Sequence, residues 1–219
     1  MAILKTDWQS FLSQDSELPP DVFFLVKTND GLIVEDFGEA IGAHKFLLAG
    51  ISPVFRRMFF GPMKETGEVV KVEETTCEAF NTMISFIYQP PGDEFTLNDI
   101  RCPQKLFELL ALSDKYEILS LKALTSNALE TLPISNENMI FVATVAKSYK
   151  LLFEDVSTKL LMRCLEFINT SDGRDTLALI LETRNKFPEA SFDVLHELMN
   201  VGDATFQMPG ISNLCTICF

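Results

Sequence analysis

Catalysis needs nucleophiles, bases or metal ligands at workable spacing, and this 219-residue chain offers few. Its two histidines, His44 and His196, have no partner at metal-ligand spacing. His44 therefore reads as a hydrogen-bonded structural residue, and His196 has no catalytic company. The five cysteines are Cys77, Cys102, Cys164, Cys215 and Cys218, and the last two form a lone CxxC, Cys215-Thr216-Ile217-Cys218. One such pair supplies half of a tetrahedral zinc site, and no second pair lies near it. A prenylation box would need cysteine where Thr216 stands. Coincidence is the plainer account of the motif, with redox pairing or palmitoylation as the alternatives. No GxGxxG, P-loop, GxSxG or HExxH pattern occurs, and no nucleophile, base and orienting group fall together. The expectation is a protein with no catalytic residues, no metal and no cofactor, whose work is binding.

The charge balance narrows what it binds. Thirty-one acidic against 18 basic residues give a net charge of -13, spread along the chain rather than gathered in a tail. A surface of that sign repels phosphate, so neither nucleic acid nor an anionic membrane is an expected partner. The longest apolar runs, such as Met139–Val142, are far shorter than the roughly 20 residues of a membrane span. The N-terminus lacks the layout of a signal peptide, and an odd cysteine set with three members isolated in apolar helical contexts suits a reducing compartment. A soluble protein of the cytoplasm or nucleus is expected. With 47% hydrophobic and 22% charged residues, the chain can build a true core as one large domain or two small ones.

The elements that must carry such a surface follow from periodicity. Trp8, Phe11 and Leu12 recur at helical spacing before Pro19-Pro20, predicting a short amphipathic leader helix. Asp21–Lys27 is a β-branched and aromatic run ending in a Gly31 turn, and Leu32–Val34 and Glu39–His44 are weaker strand candidates. From Lys45 the period lengthens to that of a helix through Leu47, Leu48, Ile51, Phe55, Met58 and Phe59. Ser52-Pro53 inside this stretch is a helix start, so two short helices are predicted, stopped by Gly61-Pro62. Glu68–Val72 is one more strand. Helical patterns then run from Thr76, Pro103 and Ile118, followed by further helices after Ser135, around Val156–Phe167, and near 175–185 and 189–200. The class is α+β, with an all-helical second half and a tail over 201–219 that has no clear period.

In that frame, Asp21–Val26, Ala43-His44-Lys45-Phe46-Leu47-Leu48-Ala49, Ser52-Pro53-Val54-Phe55, Met58-Phe59 and Gly61 resemble the central signature of the BTB/POZ domain. Phe80–Tyr88 and Leu110–Tyr116 are similar to its later helical motifs, so the resemblance covers roughly residues 20–130. Asp7-Trp8-Gln9 resembles the leader of BTB proteins that carry a BACK segment and often a PHR domain. Residues 131–200 are similar to the first helices of BACK. No PHR, kelch, MATH or zinc-finger pattern follows, and the Asn29–Gly42 turn is long for the family.

The resemblance implies a BTB/POZ fold, a small sheet flanked by helices, bounded by a leader over 1–19 and partial BACK helices over 131–200. It implies a substrate adaptor of a cullin-3 ubiquitin ligase, acting as a homodimer or paired with other BTB proteins, with an unknown protein substrate. Met63-Lys64-Glu65 matches the hydrophobic-x-Glu motif of cullin-binding members, in which the apolar side chain fills a pocket and the carboxylate accepts hydrogen bonds. Phe59 and Tyr116 flank that surface in the family, with a core role as the competing reading. Trp8, Phe11 and Leu12 correspond to the dimer-spanning leader, and Asp21 and Lys45 to a charged pair beneath the dimer interface. The alternative function is an oligomerisation scaffold in transcription or signalling with no ligase role. A third reading makes the chain a partner that inhibits longer BTB adaptors by mixed dimerisation.

Overall fold

The structure is a computed structural model that describes residues 18–26, 40–62, 64, 67–73, 75–89, 94–97, 100–168 and 170. The predicted leader helix, the Leu32–Val34 strand, the helices near 175–185 and 189–200, and the tail lie outside these residues.

Among the described residues three strands form one sheet: β1 (Val22–Val26), β2 (Ile41–Ala43) and β3 (Val69–Val72), in the order β2-β1-β3. The β-branched and aromatic residues of β1 alternate, burying Val22, Phe24 and Val26 on one face while Phe23 and Leu25 are half-buried. β2 pairs with β1 antiparallel, Val22 opposite Ala43, and β3 pairs with it parallel, Phe24 opposite Val70. A parallel pair needs a crossover. Here the connection carries α1 (Lys45–Ile51) and α2 (Pro53–Phe60). Gly42 lets Pro20 come close, since a Cβ there would stand 2.8 Å from Pro20 Cγ.

α3 (Cys77–Ile87), α4 (Pro103–Lys115) and α5 (Leu119–Glu130) follow. Thr76 caps α3 by accepting a hydrogen bond from Ala79 N–H at 3.2 Å, the predicted capping start. The core is aromatic where sheet and helices meet. Phe24 lies 5.0 Å from Phe80 and 5.8 Å from Phe55, centroid to centroid, and Phe55 stacks on Tyr116 at 4.3 Å. Offset and tilted rings of this kind add to what their buried area contributes.

The chain divides into two compact units between Ala128 and Leu129. In the second, α6 (Met139–Tyr149) packs against α7 (Glu154–Ile168), burying Met139, Val142 and Ala146 from one helix and Leu160, Leu161 and Cys164 from the other. Arg163 donates from Nη2 to the Leu132 carbonyl at 2.8 Å. Burial pushes the Cys164 thiol up to about 12 despite the nearby Arg163 charge. Among the described residues no helix is long and apolar enough to cross a membrane.

Candidate protein-interaction site

α2 is positioned from its first residue. Ser52 is fully buried, and its hydroxyl accepts from Phe55 N–H at 3.1 Å while donating to the Tyr116 carbonyl at 2.6 Å. One side chain therefore caps α2 and fixes the end of α4 against it. Pro53 at the first helical position is pre-set for the turn. At the far end Gly61 N–H donates to Arg57 O at 3.0 Å, and a Cβ on Gly61 would collide with that carbonyl. The helix thus stops at a defined place immediately before Met63-Lys64-Glu65.

Successive helical residues turn by about 100°, so α2 sorts its side chains sharply. Phe55 and Phe59, four apart, face inward and stack at 5.9 Å. Arg56, Arg57 and Phe60 face water, Phe60 with 58% of its surface exposed. The ring of Phe59 is 4% exposed and that of Tyr116 3%. The two aromatics named from sequence as contact residues therefore belong to the core, where Phe55 holds both. Burial pushes the Tyr116 phenol up to about 12.

The outward residues are their neighbours. Glu117, directly after Tyr116, sits at φ 53° in the turn between α4 and α5, closed by Ile118 N–H donating to Ser113 O at 2.8 Å. This is a helix end at which glycine is usual, and a side chain there costs about 1 kcal/mol. The Glu117 carboxylate accepts through Oε1 from Arg57 Nη2 at 2.6 Å, tying the turn to the outer face of α2. Both partners are exposed, 63% and 49%, and such pairs contribute only about 0.2–1 kcal/mol. Phe60 lies one turn beyond Arg57, and Leu119, two residues beyond Glu117, is 76% exposed. Exposed Phe60 at the end of α2 and exposed Leu119 at the start of α5 thus flank, along the chain, the two partners of the Arg57–Glu117 pair. Lys64 is exposed, while Met63 and Glu65 lie outside the described residues.

A second exposed region surrounds the start of α1. Asp21 and Lys45 meet, but not as a buried ion pair: exposed Asp21 accepts through Oδ1 from the Lys45 backbone N–H at 2.7 Å, a carboxylate at the first turn of α1. The Lys45 ammonium instead lies 5.8 Å from the centroid of Phe59, close enough for attraction to the ring face. The sequence pairs the charges by position, whereas the strand-to-helix turn brings the carboxylate to the backbone first.

His44, between them, is fully engaged. Its Nε2 lies 2.9 Å from the Leu18 carbonyl, which can only accept, so Nε2 carries the proton. Nδ1 then accepts from Tyr88 O–H at 2.7 Å, and the same phenol oxygen accepts from His44 N–H at 2.7 Å. Burial, with a smaller contribution from Asp21, pushes the Tyr88 phenol up to about 12 against the opposing His44 N–H bond. Leu18 and Phe46 stand out from this region, Phe46 with 80% exposure. Trp8, Phe11, Leu12, His196, Cys215 and Cys218 lie outside the described residues. Among those described, no three His, Cys, Asp or Glu side chains could hold a metal ion.

Sequence reasoning missed Arg57, Phe60, Glu117, Leu119 and Phe46. An exposed leucine or phenylalanine leaves no periodic signal, and nothing in Tyr116-Glu117-Ile118 marks a left-handed residue. For Phe60 alone a signal was present and not used, its place one step off the buried stripe of α2.

A small mixed sheet with a helical layer and exposed apolar side chains defines a protein-interaction module. The family model of the BTB/POZ domain matches residues 14–132, more than half of the chain, and the chain belongs to that family. Its fold is accordingly the α+β BTB fold. Among curated relatives, TD and POZ domain-containing protein 1 of Mus musculus is 36% identical over 93 residues, 42% of this chain and 24% of its own. BTB/POZ domain-containing protein 9 of Bos taurus is 27% identical over 187 residues, 77% of this chain and 29% of its own. BTB/POZ and MATH domain-containing protein 3 of Arabidopsis thaliana is 31% identical over 161 residues, 70% of this chain and 35% of its own. The chain thus spans about a quarter to a third of the length of these relatives. The BTB domain of human Gigaxonin aligns with 49% of this chain and 75% of its own, at 18% identity and a TM-score of 0.34. The family assignment rests on the family model.

Proposed function

We propose that this BTB/POZ protein is a substrate adaptor of a cullin-3 ubiquitin ligase, docking the cullin at the outer end of α2. The observation that carries the reading is the exposure of Phe60 and Leu119 and of the Arg57–Glu117 pair, Phe60 standing three residues before Met63-Lys64-Glu65 in the sequence. Exposed aromatic and aliphatic side chains around a charged centre are what a partner helix can bury, and a few such anchors dominate binding energy. The ligase's RING and E2 components would do the chemistry, and this chain would catalyse nothing.

In this reading the leader over residues 1–19 and the exposed start of α1, with Leu18 and Phe46, form the contact between two copies or with another BTB protein. Residues 131–200 are the opening helices of a BACK segment, residues 201–219 a tail, and the site of action the cytoplasm or nucleus. Pairing gives two cullin arms on one platform and raises the effective concentration of ligase at a bound substrate protein. The exposed Phe46 face favours a second reading, an oligomerisation scaffold without ligase partners, since pairing there needs no cullin.

The deciding experiment is calorimetric titration of the cullin-3 N-terminal domain into the protein. A Met63→Asp, Glu65→Lys double variant and a Phe60→Asp variant, each of confirmed fold, run alongside. Saturable binding that both variants lose supports the adaptor reading. Absence of binding by the unmodified protein overturns it and leaves the scaffold.

A further inference from the structure

At Glu117 the backbone and the side chain make opposite demands. Among the described residues it is the non-glycine residue with positive φ, at 53°, in a helix end whose closing bonds are made by the backbone alone. Glycine would make the same turn without strain. The ion pair with Arg57 does not redress the balance, because water screens both exposed partners. The fold therefore gains little from a side chain at this position, and strain of this kind points to what the side chain reaches.

What it reaches is Arg57, one helical turn before exposed Phe60 on α2, while exposed Leu119 follows two residues after Glu117. The recorded contact is end-on, one carboxylate oxygen, Oε1, to one guanidinium nitrogen, Nη2, rather than the two-point fork that would occupy both oxygens. Arg57 thus aims the carboxylate without saturating it.

Resting on the adaptor reading above, we propose that Glu117 is a specificity-determining residue of the cullin-docking surface. Its carboxylate accepts a hydrogen bond from a basic side chain of the docking cullin helix. Phe60 and Leu119 lie against apolar side chains on either side of that contact. The carboxylate itself selects a basic donor, because an anionic acceptor with one oxygen outside the recorded Arg57 contact is met most strongly by a cationic hydrogen-bond donor. Arg57 is a positioning residue that holds the carboxylate on the α2 side of the turn.

The test titrates the cullin-3 N-terminal domain into the full chain, unmodified and as Glu117→Gly and Glu117→Gln, at low and at several-fold higher salt, with thermal melts of each protein. Glu117→Gly should melt at the same or a higher temperature yet bind about tenfold more weakly. Glu117→Gln should keep the fold, weaken binding and flatten its salt dependence. A purely structural role for Glu117 would move the melts and leave the salt dependence alone. Binding by Glu117→Gly within about twofold of the unmodified protein, with unchanged salt dependence, overturns this proposal and leaves the adaptor reading standing. No binding by the unmodified protein overturns both.

Discussion

Phe59 and Phe60 are adjacent in sequence and identical in type, yet one is 4% exposed within the aromatic core and the other 58% exposed at the end of α2. The same step separates Tyr116, stacked on Phe55 at 4.3 Å, from Glu117, which meets Arg57 in water. The inner face of α2 holds the domain together through ring packing and a buried serine. The outer face carries side chains whose contribution to the fold is small or negative, and this difference marks it as the surface available to a partner.

The comparison breaks most directly at Phe55, which touches Phe24, Phe59 and Tyr116. Phe55→Ala should lose about 3–5 kcal/mol of stability in denaturant unfolding, and a loss below about 1 kcal/mol would show that this cluster is not the centre of the core. Alkali tests the buried phenols next. Tyr88 and Tyr116 are raised from 10 to about 12 in the folded state, so their stabilisation is complete below pH 10 and is lost as pH rises towards 12. Each can account for at most about 2–3 kcal/mol, and unfolding measured across that window should steepen with pH, less so in Tyr88→Phe. A flat profile from pH 10 to 12 would refute the burial of these hydroxyls.

Ser52→Ala removes the cap of α2 and leaves the Tyr116 carbonyl without its donor, and should cost about 1–3 kcal/mol by the same unfolding assay. The smallest effect on stability belongs to the outer face. Phe60→Asp should unfold within about 0.5 kcal/mol of the unmodified protein, and a larger loss would make Phe60 a packing residue rather than a presented one.

Much of the fold was legible because local chemistry announces it. The alternating run of β1, Ser52-Pro53 at the start of α2, Thr76 before α3 and the Gly61-Pro62 stop each impose one geometry by short-range sterics and hydrogen bonding. The candidate site was legible only in outline. Phe59 and Tyr116 were read as contact residues and lie buried in the core, because an aromatic in a motif reads alike whether its ring faces in or out. Asp21 and Lys45 were read as a pair of charges, and they meet through a carboxylate and a backbone N–H.

The amino-acid sequence by itself determined the class, the order of the elements among the described residues and the absence of any familiar catalytic motif, because periodicity, capping and turn chemistry act over a few residues. Tertiary structure alone decided which side of α2 faces the core and that Arg57 meets Glu117 across 60 residues of chain. It also settled that His44, Tyr88 and Leu18 close one hydrogen-bond network. Those facts depend on where distant segments pack, and long-range packing follows from the sum of all buried contacts rather than from any local run of residues.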